Sequence, residues 1–150
     1  RPNSYMVQNS IGRNFLKQAN SIKTFSVAKK YFDEGELILL NLIENREEFQ
    51  ARAFSTHTYL YEKMLFVKKF NIKLTNNEIE RMADYLKRIT DKDPNDIMAK
   101  HINNVFVRFL KKINKINLIM IDLQDLSKLK ALFFEYNMNL DELIDDEEME

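Results

Sequence analysis

Apolar residues recur along most of the chain at spacings of three and four, a pattern typical of amphipathic helices. The pattern is clearest over residues 25–45, where charged residues fall on the opposite side. The apolar side there carries Val27, Ala28, Tyr31, Phe32, Gly35, Ile38, Leu39, Leu42 and Ile43. The same spacing predicts further helices over residues 4–19, 47–70, 75–90 and 93–115.

The helix predicted over residues 47–70 is apolar on two sides. Its main face carries Phe49, Ala53, Phe54, His57, Leu60, Tyr61, Met64, Leu65 and Val67. A second, narrower stripe carries Tyr59, Phe66 and Phe70. Because a helix that is apolar on two sides is usually sandwiched between neighbours, we expect it to lie at the centre of the fold.

Local signals mark helix ends and one close contact. Thr75 and Glu78 form a capping-box pattern, which predicts a helix start. Asp93 and Pro94 are expected to cap and open the following helix. Gly35 interrupts an apolar face, at a cost of about 1 kcal/mol against Ala. It predicts the close approach of a neighbouring helix, with a kink or a ligand contact as the alternatives.

The C-terminal third is less regular. Residues 116–121 are compatible with a strand, a link or more helix, and Asp122 or Asp125 could cap a sixth helix. An acidic segment covers residues 140–150. The fold class expected is all-α, with five to seven antiparallel helices in a bundle or a short irregular α-solenoid. We expect one domain over residues 1–139, followed by the acidic segment.

Composition favours a helical fold and indicates the cellular compartment. Two Gly and two Pro among 150 residues are too few for the turns of a β sandwich or barrel. The absence of Cys excludes disulfides and thiolate sites and fits the cytoplasm or another reducing intracellular compartment. No apolar run is long enough for a transmembrane helix, so no membrane partner is expected. Because the chain begins at Arg1, we expect it to be a piece of a larger protein.

The spacing Ala28-x3-Phe32-x2-Gly35 resembles the second helix of a tetratricopeptide repeat. The match covers about eight residues, and no period near 34 residues recurs along the chain. The resemblance implies an irregular helical stack that serves as a protein-binding module or a sensor segment of a larger protein. It transfers no binding residues.

Residues capable of chemistry are scattered. His57 and His101 lie on or near apolar helix faces, where a core or boundary position is expected for each, with a buried general base as the alternative for His57. Ser55 to Thr58 are consecutive on a predicted helix, so their side chains point in different directions and form no triad. Acidic pairs without a histidine partner define no reaction. We therefore expect no catalytic residue, no metal site and no cofactor.

Charge is unevenly placed although the net charge is zero. Residues 1–32 contain six Lys or Arg and no acid, and residues 116–150 contain ten acids against two Lys. Residues 81–115 contain nine Lys or Arg against four Asp. Each end could attract the other or face a partner of opposite charge.

These features favour a non-catalytic protein-interaction or regulatory domain whose partner is another protein or a flanking domain. Two alternatives are a nucleic-acid-associated module that uses the basic face of residues 81–115, and a fragment of an enzyme whose active site lies elsewhere. The candidate interaction residues are Lys100, Arg108, Lys111, Lys112, Tyr59 and Phe66.

Overall fold

The chain is all-α, as predicted, and the computed structural model describes residues 4–113. Within those residues it has five helices and no strand. The helices are α1 (Tyr5–Ser21), α2 (Phe25–Asn45), α3 (Phe49–Phe70), α4 (Asn76–Lys92) and α5 (Ile97–Lys112). Two compact units divide the chain, Arg1–Lys73 and Leu74–Glu150. The predictions for residues 116–121, the sixth helix and the acidic segment lie outside the described residues, as does the domain boundary at residue 139.

Helices α1 and α2 form a hairpin in which two glycines lie face to face. A Cβ atom placed on Gly35 would come within 2.7 Å of both the Gly12 carbonyl oxygen and the Leu16 side chain. One placed on Gly12 would come within 2.9 Å of the Leu39 side chain. The predicted close approach at Gly35 is therefore confirmed, and the approaching neighbour is α1.

Helix α3 packs against both helices of the hairpin and completes the first unit. Phe32 of α2 stacks on Phe66 of α3 with ring centroids 4.3 Å apart. Phe25 and Phe70 extend this aromatic cluster at the end of the same contact. The helix ends where Asn71 adopts a left-handed conformation with φ of 51°, which Asn tolerates better than most residues.

The broad apolar stripe of α3 is only partly buried, with four of its side chains in the core and three exposed. Tyr59 and Phe66, on the narrow stripe, are 2% and 3% exposed. Phe54, Tyr61 and Leu65, which were predicted to face the core, are 37%, 41% and 39% exposed. The expected core face was too wide, because α1 and α2 pack on the narrow stripe and leave the edge of the broad one outside.

In the second unit, α4 begins as predicted. The Thr75 hydroxyl accepts a hydrogen bond from the Glu78 backbone N–H, and the Glu78 carboxylate accepts one from the Thr75 backbone N–H. The apolar side of α4 is buried at Ile79, Met82, Tyr85, Leu86 and Ile89.

The predicted start of α5 is wrong by three residues. Asp93 ends α4, and residues 93–96 form a turn in which the Asp96 N–H donates to the Asp93 carbonyl. Asp96 caps α5 instead, since its carboxylate accepts a hydrogen bond from the Ala99 N–H at 2.9 Å. Pro94 belongs to this turn rather than to the first turn of the helix.

Candidate interaction surface

Buried polar side chains fix α3 against α1. The Ser55 hydroxyl donates to the Asn9 side-chain oxygen at 3.1 Å, and both residues are buried. In the last turn of α1, the Asn20 amide donates to the Glu62 carboxylate at 3.1 Å and to the Glu62 carbonyl at 3.2 Å. Residue numbers rise together in these two pairs, so α1 and α3 run in the same direction.

Glu62 is the anchor of the second contact. The residue is only 3% exposed, and its carboxylate lies 3.8 Å from the Lys17 ammonium. Lys69 adds a bond from α3 back to α1 by donating to the Asn20 carbonyl at 2.6 Å. A buried carboxylate needs such partners, because burial without them carries a large desolvation cost.

A second polar cluster joins α3 to α2. The Glu36 carboxylate accepts hydrogen bonds from the Tyr59 hydroxyl at 2.6 Å and from the Lys63 ammonium at 3.0 Å. The same ammonium lies 5.8 Å from the centroid of the Phe32 ring and 5.6 Å from that of Tyr59. Lys63 is thus held by charge on one side and by aromatic faces on the other.

These contacts define which edges of α1 and α3 remain open. On α3, Ser55 and Glu62 face α1, and Tyr59 and Lys63 face α2. At 100° per residue, Phe54, Tyr61 and Leu65 lie beyond the Ser55–Glu62 line, on the side away from α2. This accounts for their partial exposure.

Helix α1 contributes the matching edge. Gly12 and Leu16 face α2, and Asn9 and Asn20 face α3. The same helical geometry places three exposed side chains beyond the α3 contact, namely Met6, Arg13 and Lys17. We define the α1–α3 surface by its six exposed side chains, Met6, Arg13, Lys17, Phe54, Tyr61 and Leu65.

Charge differs sharply between this surface and α2. Helices α1 and α3 contain a single acid, the buried Glu62, and the exposed bases Arg13 and Lys17 lie on the α1–α3 surface. Helix α2 contains Lys29 and Lys30 against four acids. The α1–α3 surface is therefore apolar with a positive border, and the outer side of α2 is not.

The candidate interaction residues predicted from sequence occupy two places. Tyr59 and Phe66 are buried in the first unit, where they pack and hydrogen-bond and do not meet solvent. Lys100, Arg108, Lys111 and Lys112 lie on α5, the first three half-buried and the last exposed. Lys111 and Lys112 occupy its last turn, where cations stabilise the carboxyl end of a helix. Their role in binding stays a prediction.

The two histidines lie on different helices of the described part of the chain. His57 is half-buried on α3 and His101 is exposed on α5. Across residues 4–113, no three His, Asp or Glu side chains come together as metal ligands would. Nor does any helix in that range have both the length and the apolar character needed to cross a bilayer.

Comparison with known proteins adds no constraint. No family model matches the chain, and no significant match exists among curated proteins or solved structures. The functional interpretation therefore rests on the residues of this chain and their arrangement.

Proposed function

We propose that this chain is a non-catalytic helical protein-interaction or regulatory domain of a larger protein. The observation that carries the proposal is the amount of apolar side chain left exposed on the first unit. Ten of the eleven large apolar residues exposed in the described part of the chain belong to α1, α2 and α3. Exposed apolar groups that cluster, with a polar or charged border, are a common feature of protein-binding surfaces.

The α1–α3 surface is the best-supported binding site on this unit. Its apolar side chains come from two helices whose relative position is set by buried hydrogen bonds, so the surface is formed before a partner arrives. Preformed surfaces lose less conformational entropy on binding than surfaces that must order. Tyr61 and Phe54 provide the aromatic area that tends to dominate binding energy.

Site-specific photo-cross-linking in the full-length protein tests this proposal. A benzophenone amino acid replaces Tyr61 in one variant and Leu37 in the control. Leu37 is 71% exposed on α2, outside the α1–α3 surface. We expect a discrete protein adduct from position 61, and we expect Phe54→Ser to abolish it because the two side chains share the surface.

A control substitution away from the α1–α3 surface tests whether the effect of Phe54→Ser is specific. Leu37→Ser removes an exposed apolar side chain elsewhere and should leave the adduct from position 61 intact. If no protein adduct forms at position 61, or if Phe54→Ser leaves it unchanged, the surface is not a binding site and the proposal fails.

A further inference from the structure

We propose that the α1–α3 surface binds an acidic segment that also carries apolar side chains. This inference rests on the proposed function and specifies the chemistry of the partner. Its basis is the position of Arg13, Lys17 and Lys68 beside exposed apolar side chains, combined with the absence of any exposed acid on α1 and α3.

Arg13 is the charged residue that the partner would meet first. It is exposed on α1, in the interval between Asn9 and Asn20. Because those residues bond to Ser55 and Glu62, Arg13 is level with the stretch of α3 that contains Tyr61. No acid in α1 or α3 competes for its guanidinium at the surface, since Glu62 is buried and bonded to Asn20.

Two further bases extend the positive border along the surface. Lys17 has a half-exposed side chain and lies 3.8 Å from the Glu62 carboxylate, which is buried. Lys68 follows Tyr61 by two helical turns on the same side of α3. The bases therefore run beside Phe54, Tyr61 and Leu65, and a segment with acids next to apolar residues would satisfy both rows.

The acids on the outer side of α2 disfavour binding of an acidic segment to that helix. Its outer side holds Asp33 and Glu34, and Lys29 is already paired with Asp33 at 2.9 Å. An acidic segment would be repelled there, because like charges in proximity disfavour association. The binding position is thus selected by charge and the contact area is supplied by the aromatic and aliphatic side chains.

Fluorescence anisotropy with a labelled synthetic peptide that combines glutamates with leucines tests the inference on the whole chain. Two companion peptides replace the glutamates by glutamines or the leucines by serines. We expect both replacements to weaken binding about tenfold or more, and we expect binding of the parent peptide to fall as salt rises. A glutamine peptide that binds as tightly as the glutamate peptide would refute an acidic partner, while the cross-linking result could still support the proposed function.

Matched variants locate the binding site. Arg13→Gln and Tyr61→Ser should each lower the affinity for the parent peptide about tenfold. Lys30→Gln and Leu37→Ser should leave that affinity unchanged. Arg13 and Lys30 are both exposed, so neither change should disturb folding, which circular dichroism checks. Equal losses from Arg13→Gln and Lys30→Gln would show attraction to overall charge and refute the site. The site would also be refuted if a single-stranded oligonucleotide bound more tightly than the peptide and if Tyr61→Ser left the affinity for the oligonucleotide unchanged.

Discussion

Helix α1 contacts its two neighbours in different ways. Its contact with α2 is made through Gly12 and Gly35, and within the described residues no side-chain hydrogen bond joins the two helices. Its contact with α3 contains buried polar pairs, Asn9 with Ser55 and Asn20 with Glu62. The first contact depends on close apolar packing, which includes the Phe15 and Tyr31 rings with centroids 6.4 Å apart. The second depends on directional bonds that hold in one register, so it determines where α3 lies and which edges form the α1–α3 surface.

Gly35→Val should have the largest effect, because it breaks the shape-dependent contact. The first added carbon would lie 2.7 Å from the Gly12 carbonyl oxygen, which belongs to a backbone that cannot rotate away. We expect the free energy of unfolding to fall by about 3 kcal/mol, the upper end for overpacking. Urea unfolding followed by circular dichroism measures it.

Gly12→Ala is the control for the glycine contact. Its added carbon would meet the flexible Leu39 side chain, and alanine improves helix propensity by about 1 kcal/mol. A loss as large as that of Gly35→Val would show that the two glycines are equivalent and that the backbone clash is not what matters.

Asn20→Ala should have the next largest effect, because it breaks the polar contact of α1 with α3. The change leaves the buried Glu62 carboxylate without its amide donor. We expect a loss of about 2 kcal/mol in the free energy of unfolding, as for hydrogen bonds to charged groups. Asn14→Ala, at an exposed position of the same helix, should cost far less, and equal losses would contradict a specific role for Asn20.

A double-mutant cycle measures the ion pair that joins α2 to α3. Glu36→Gln and Lys63→Met each remove one side of the ion pair, whose side chains are 26% and 10% exposed. We expect a coupling energy of about 1 kcal/mol, between the values for surface pairs and for buried pairs. A coupling energy indistinguishable from zero would mean that Lys63 is held by Phe32 and Tyr59 rather than by Glu36.

Lys29→Ala should have the smallest effect. Lys29 and Asp33 form a pair four residues apart on α2 in which both side chains are more than half exposed. Such a pair contributes about 0.3 kcal/mol, and salt weakens it further. The same urea titration measures the free energy of unfolding. A loss near that of Asn20→Ala would contradict the difference in stability expected between exposed ion pairs and buried polar contacts.

Some of the fold could be read from the sequence because the signal was local. The capping box at Thr75 and Glu78 needs only residues three apart, and an isolated glycine on an apolar face has few explanations. The start of α5 was misplaced because Asp93 and Asp96 are both good caps and lie three residues apart. The choice between them depends on where α4 ends.

The α1–α3 surface could not be read in the same way. Helix α3 has more apolar positions than its neighbours in the first unit can cover, so composition alone does not say which stripe stays outside. Which edge of the broad stripe stays exposed depends on long-range pairs such as Asn9 with Ser55, which are 46 residues apart. The excess of bases on α1 and α3 was a usable signal, but it gains meaning only when the two helices are known to lie side by side.

Disulfide trapping tests the side-by-side arrangement of α1 and α3 most directly, and the natural absence of cysteine makes the measurement clean. Cysteines replace Asn9 and Ser55 in one variant, and Ser10 and Ser55 in the control, where the first position is turned about 100° around α1. With a mild oxidant and mass spectrometry, we expect an intramolecular bridge to form rapidly in the first variant and slowly or not at all in the control. Equal rates, or a faster control, would place α1 and α3 in a different register and remove the α1–α3 surface.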